Sequence, residues 1–408
     1  MSLIRPFPGL RPTAGNAEAV AAPPYDVLSS EEARERAAGK PWSFLHISKP
    51  EIDLPEGIDV YSAPVYAKAV ENLKKMIDAG IIARDAQDCY YAYRLVMGGH
   101  TQTGLVAAAS VAAYDINRIK KHEFTRPDKE DDRVRQIEAL NAQTGPVLLA
   151  YPSAPQADEL LAQASAGTPD ADVTAPDGIR HTIWAVRDAA LIGKITATFD
   201  AMPALYIADG HHRSAAASRV AAARRKAGVE QSSDYFLSVI FPHHQMKIMD
   251  YNRVVKDLNG LSAEQFLDRL GKSYLVSPSC GAVKPSCPGE IGLYLPGRWY
   301  RLNINPKLFV KDPVENLDVS LLSAHVLGPI LGIADLRRDK RIDFVGGIRG
   351  LPELEKRVVS GEMAVAFAMF ATRMEDLMAV ADSNQVMPPK STWFEPKLAD
   401  GLVSHVID

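Results

Sequence analysis

Cysteine is scarce in this 408-residue chain, with only Cys89, Cys280 and Cys287. So small a number fits a reducing compartment, and the spacing matches no zinc pattern, which leaves structural or incidental roles. No apolar run approaches the roughly 20 residues that would span a bilayer. The opening Met1-Ser2-Leu3-Ile4-Arg5-Pro6-Phe7-Pro8 carries no signal-peptide core. The expected location is therefore the cytoplasm, with no membrane partner. Positive charge is not in excess: 46 Lys and Arg face 50 Asp and Glu, a net charge of -4. That balance argues against nucleic acid as the main partner. Neither a Walker A lysine loop nor a kinase glycine loop occurs, which excludes an ordinary P-loop enzyme. What remains has the composition of a soluble globular protein, long enough for two or three domains.

The stretch that carries most chemistry is Ala204-Leu205-Tyr206-Ile207-Ala208-Asp209-Gly210-His211-His212-Arg213. A short apolar run ends at an acid and a glycine, and an alanine- and arginine-rich segment without breakers follows. The pattern predicts strand, tight turn, helix. A helix N-terminus gathers unpaired N–H groups and partial positive charge, so it suits an anion. Gly210 lets the backbone approach that anion, and Arg213 offers a fork of donors matched to phosphate or carboxylate. Asp209 is suited either to holding Mg²⁺ or to taking a proton. The plain alternative is a structural Asp-Gly turn with a salt-bridged Asp and Arg.

A second polar stretch runs from Ile119 through Lys120-Lys121-His122-Glu123-Phe124-Thr125-Arg126-Pro127 to Asp131-Asp132-Arg133. Glu123 is a candidate general base and Arg133 a candidate phosphate ligand, while His122 and Thr125 add hydrogen-bonding groups. A charge run of this kind is otherwise a solvated loop leading into a helix near Asp131. His122-Glu123 lacks the second histidine of the helical zinc-protease motif.

The turn resembles the DGHHR signature of an uncharacterised family of bacterial and archaeal proteins. The resemblance runs nearly end to end and includes Pro23-Pro24-Tyr25-Asp26-Val27, His122-Glu123-Phe124-Thr125, Asp132-Arg133 and Met387-Pro388-Pro389-Lys390-Ser391-Thr392. The resemblance implies His-Arg where this chain has Asn252-Arg253, which leaves Arg253 as the candidate there. The turn alone is similar to the phosphate-binding turn of the ParB–sulfiredoxin superfamily, which includes partition proteins, sulfiredoxins and free-serine kinases. That narrower resemblance implies a nucleotide or phosphate site.

Elsewhere the pattern predicts a capping-box helix after Ser29, a strand over 43–48 with a satisfied His46, and a helix over 61–79. A hairpin is expected around Gly98-Gly99, a short buried strand at 147–151, and a strand at 179–186 with His181 in the core. Residues 155–178 read as a short helix and a surface loop. Helices are expected over 262–271, 316–332 and 352–381, with 364–369 left open between helix and strand. The tandem His243-His244 is weak evidence for a metal.

The expectation is a mixed α/β (α+β) protein whose ParB/sulfiredoxin-like core carries added N-terminal and C-terminal segments, divided at 1–150, 151–257 and 258–408. Its expected function is phosphoryl transfer on a small hydroxyl metabolite, with serine or phosphoserine the first choice and the direction open. The alternative is a nucleotide-responsive, ParB-like binding protein without turnover. The expected catalytic residues are Glu123, Asp209 and His212. Phosphate and substrate ligands would be Gly210, His211, Arg213, His122, Thr125, Arg133, Arg253, Lys390 and Ser391. Mg²⁺ at Asp209 and a nucleotide or other phosphate donor complete the set, and a phosphorylated metabolite or nucleotide is the expected partner.

Overall fold

The structure is a computed structural model that describes residues 2–226 and 228–408. The chain forms two compact units, one from residues 1–246 and 396–408, the other from 247–395. The first is built on a nine-stranded mixed sheet. Its strands are β1 (Ile4–Arg5), β2 (Tyr90–Met97), β3 (His100–Ser110), β4 (Ile119–Lys120), β5 (Val147–Tyr151), β6 (Ala171–Thr174), β7 (Arg180–Val186), β8 (Leu205–Asp209) and β9 (Tyr235–Pro242). They lie in the order β4-β8-β5-β9-β3-β2-β7-β6, with β1 against β3. Two pairs, β4 with β8 and β5 with β9, are parallel, and the others are antiparallel. The hairpin of β2 and β3 turns at Gly98, whose positive φ the tight loop requires. Strand β5 is buried at every position and lies between β8 and β9, so the boundary expected near residue 150 falls inside this sheet.

Helix α1 (Pro127–Leu140) and helix α2 (His211–Arg224) pack on one another. Helix α1 starts earlier than the charge pattern suggested, because Pro127 occupies the first turn, where its missing N–H costs nothing. The buried face of α2 consists largely of Ser214, Ala215, Ala216, Ala217, Val220 and Ala221. Side chains this small allow the helix axis to come close to its neighbours. Ile137 of α1 joins Ala216, Val220 and Ile407 in a shared apolar cluster.

Three expectations change. Residues 43–48 form no strand: Leu45–Ser48 is one turn of helix, and Phe44, Leu45 and Ile47 enter an apolar cluster with Ala69, Leu73 and Met76. Six residues buried on more than one side cannot separate period two from one helical turn. The expected surface loop before 178 contains strand β6. The helix expected over 352–381 divides into Gly350–Val359, the strand Val365–Ala368 and Met374–Asp382.

The second unit contains a six-stranded antiparallel sheet of β10 (Tyr251–Val255), β11 (Tyr274–Ser279), β12 (Glu290–Leu295), β13 (Arg298–Ile304), β14 (Ile342–Gly346) and β15 (Val365–Ala368). Their order is β11-β13-β12-β15-β10-β14. Strand β15 is interior and buried throughout, which explains its unbroken apolar sequence. Among the described residues no helix is long and apolar enough to cross a membrane.

Candidate functional site

Strand β8 ends at Asp209, and Gly210 turns the chain at φ 101° into α2. A Cβ on Gly210 would stand 3.1 Å from Arg213 Nε and 3.3 Å from the Val147 backbone, so position and conformation both demand glycine. Among the described residues no side chain caps the start of α2. The N–H groups of its first turn have no partners within the helix, and they carry the positive end of the helix dipole.

The paired histidines explain why residues 122–126 lie beside this turn. His122 N–H donates to His211 Nε2 at 3.4 Å, and Arg126 N–H donates to His212 Nε2 at 3.0 Å, across 89 and 86 positions of chain. Because Nε2 of His211 accepts, the proton of its neutral ring sits on Nδ1, which faces Glu123 Oε2 at 3.6 Å. His211 is only 4% exposed, whereas Glu123 is 54% exposed. Burial, with the neighbouring His122 ring adding to it, pushes His211 well below its ordinary range. The two rings meet edge to face at 4.4 Å, and burial takes His122 down to about 4. Both rings are therefore neutral near pH 7. Burial also lowers His212. A neutral imidazole in the first turn of α2 thus lies 3.6 Å from a half-exposed carboxylate.

Behind the turn is a network of opposite charges. Lys397 Nζ reaches Asp209 at 3.2 Å, and Arg213 stands 3.7 Å from both Asp209 and Asp26. Arg213 also donates to the Pro146 carbonyl and is 11% exposed. Its guanidinium therefore lies folded under the turn, already engaged. Burial opposes the charge on Arg213, but Asp26 and Asp209 outweigh it and raise the group. Burial would raise Asp209 as well, and Lys397 and Arg213 more than reverse this, holding it well below the usual carboxylate range. A carboxylate so held is a poor proton acceptor at neutral pH. It also does not fit a resident Mg²⁺, since it is a lone acid facing two cations. Among the described residues no group of three His, Cys, Asp or Glu is arranged to hold a metal.

Arg133 bonds to Asp132 at 2.5 Å and lies 4.0 Å over the Tyr25 ring, and Tyr66 also donates to Asp132. Thr125 donates to Glu130. Arg133, Arg213, Asp400, Ser48 and Tyr25 line a cavity of about 30 Å³. Asp400 is 1% exposed, and its Oδ1 has no hydrogen-bond partner among the described residues. Burial raises its carboxyl to about 7, against a smaller opposing pull from Arg213.

A stability prediction follows from Asp400. Its folded pKa lies above its unfolded one, so between about pH 4 and 7 the folded chain holds the extra proton and stability falls as pH rises. The ionised form costs on the order of 3–4 kcal/mol above pH 7. D400N is expected to unfold at a higher temperature than the wild type at pH 8, with about two-thirds of the advantage gone at pH 5. Equal unfolding temperatures at both pH values would show that Asp400 is not held protonated.

Arg253, Lys390 and Ser391 belong to the second unit and meet there. Arg253 is wholly buried and donates to the carbonyls of Tyr251 and, at 2.9 Å, Lys390. Burial lowers it to about 10. Lys390 sits at φ 60°, and Ser391 donates to the Pro388 carbonyl. His46 bonds to Asp53 and His181 contacts the Tyr93 hydroxyl, so both are satisfied histidines. Sequence reasoning missed Lys397 and Asp400. The only local signal is a pair of opposite charges around Leu398-Ala399 in an otherwise apolar segment.

Residues 4–320 match the family described as "Protein of unknown function (DUF1015)". The chain belongs to this family. No curated protein matches the DUF1015 chain. Solved structures similar to it include a free serine kinase in complex with AMP, at 14% identity and TM-score 0.34, covering 68% of this chain and 84% of that one. A conserved hypothetical protein from Pyrococcus furiosus matches at 16% identity and TM-score 0.35, over 71% and 92%. SbnI with a C-terminal truncation, from Staphylococcus aureus, matches at 12% identity and TM-score 0.37, over 73% and 86%.

Proposed function

We propose that the first unit transfers a phosphoryl group between a nucleotide or other phosphate donor and a small hydroxyl metabolite, with L-serine the first substrate to test. The observation that carries this reading is the His211–Glu123 contact of 3.6 Å at the start of α2. It sets a carboxylate beside an anion-binding helix end, and phosphoryl transfer needs little more than positioning, charge compensation and a base. In the forward direction the substrate hydroxyl oxygen bonds to phosphorus as the phosphorus–oxygen bond to the leaving group breaks. The hydroxyl proton passes to Glu123, and the electron pair stays on the departing phosphate oxygen. The α2 N–H groups bind the transferring phosphate, and Gly210 permits the close approach. His211 fixes the carboxylate. His212 holds residues 122–126 in place. Thr125 and Arg133 act from behind, through Glu130 and Asp132.

The test is to incubate the full chain with L-serine and ADP, ATP or pyrophosphate, and with phosphoserine and AMP or ADP, and to follow phosphorus by ³¹P NMR. Phosphoserine formation or consumption supports the reading. Nucleotide binding by calorimetry without transfer in any combination would favour a nucleotide-responsive binding protein instead.

A further inference from the structure

We propose that the cavity walled by Arg133, Arg213, Ser48 and Asp400 receives the primary ammonium group of a small amino acid. The inference names the substrate class of the same site and rests on the proposed function only for placing a metabolite there.

Ser48 Oγ and Asp400 Oδ1 are both buried, both belong to residues that line the cavity, and neither has a hydrogen-bond partner among the described residues. Buried polar atoms without partners are uncommon and point to an absent water or ligand. The guanidiniums beside them ask for no further anion: Arg133 is bonded to Asp132, while Arg213 is engaged by Pro146, Asp26 and Asp209. Lys397 answers Asp209 as well. Three cations therefore meet three acids, and Asp400 is a fourth acid. Only the Tyr25 backbone, among groups bonded to it, stabilises its ionised form. A cationic donor restores the balance, whereas an anion would worsen it. About 30 Å³ holds one or two groups of water size, which an ammonium matches.

Ammonium binding should draw the proton off Asp400. The groups facing that carboxyl are Arg213, Asp26, Arg133 and the Tyr25 backbone, and burial leaves it near half-protonated at neutral pH. The entering cation ionises it and releases about half a proton at pH 7.

The experiment is calorimetry on the full chain at pH 7, in two buffers of different ionisation enthalpy, with L-serine, ethanolamine and 3-hydroxypropionate as probes. Serine is expected to bind with a buffer-dependent heat that reports proton release, and 3-hydroxypropionate, which lacks the amine, at least tenfold more weakly. D400N should weaken serine at least tenfold and abolish the buffer dependence, and S48A should weaken it several-fold. A buffer-independent heat, equal binding of serine and 3-hydroxypropionate, or no binding of either amine would overturn the inference and assign the cavity to water. Amine binding with proton release but no phosphoryl transfer would leave the inference standing and remove the transferase reading. Phosphoserine formation with an unchanged KM for serine in D400N would do the reverse.

Discussion

Glu123→Gln is expected to slow phosphoryl transfer by roughly 10²-fold or more, equivalent to about 2.7 kcal/mol of barrier, with little change in nucleotide affinity. Glutamine keeps the shape of the side chain, so the contact of this position with His211 Nδ1, 3.6 Å from the Glu123 carboxylate, is preserved. What it loses is the capacity to take a proton. On the proposed reading the nucleotide's phosphates lie at the N-terminus of α2 rather than on Glu123, so its affinity should not register the change. Asp209 cannot substitute, because Lys397 and Arg213 hold its carboxyl far below neutral pH. Single-turnover rates with nucleotide affinity measured alongside separate the two effects. Equal rates in E123Q and wild type would return residues 122–126 to a solvated loop that merely packs against the turn.

The two halves of this site differ in how far the sequence discloses them. The strand, turn and helix around Asp209 are legible because each depends on local chemistry. An apolar run ends at Asp-Gly, glycine takes a positive φ, and an alanine-rich segment follows. The capping box at Ser29 and Glu32 is local in the same way and is present. Arg213 was legible as a residue type but not as an orientation. Its guanidinium lies under the turn in the space left by the missing Cβ of Gly210, and nothing in the order of residues tells which side of a turn a long side chain takes. Lys397 was not legible at all, since it meets Asp209 across 188 positions with no periodicity linking them. The same holds for Asp400, where a lone acid in an apolar segment reads like any surface acid until the fold buries it. The paired histidines lie between these cases. Their chemistry was visible, but their work of clamping residues 122–126 onto α2 depends on backbone N–H groups, which carry no sequence signal.

Arg213→Ala is expected to lower stability substantially. The guanidinium is 11% exposed and donates to the Pro146 carbonyl, with Asp26 and Asp209 each 3.7 Å away. Alanine leaves that carbonyl without this donor and Asp26 without this cation, and leaves Asp209 to Lys397. Removing one partner of a buried charge pair costs about 3–5 kcal/mol, and the half-exposed Asp26 places this case near the lower end. For a unit of this size about 3 kcal/mol lowers the unfolding midpoint by roughly 6–12 °C. Lysine at the same position keeps the charge but not the fork, so R213K should recover only part of the loss. The pH dependence fixes the cause. Asp209 has a depressed folded pKa, so its contribution is present above the unfolded value near 4 and fades as pH falls toward the folded one. The gap between wild type and R213A should therefore be widest at pH 6–7 and shrink steadily below pH 4. An R213A protein that melts with the wild type across this range, yet loses nucleotide binding at least tenfold, would show that the guanidinium acts on the ligand directly and that the contacts beneath the turn contribute nothing measurable.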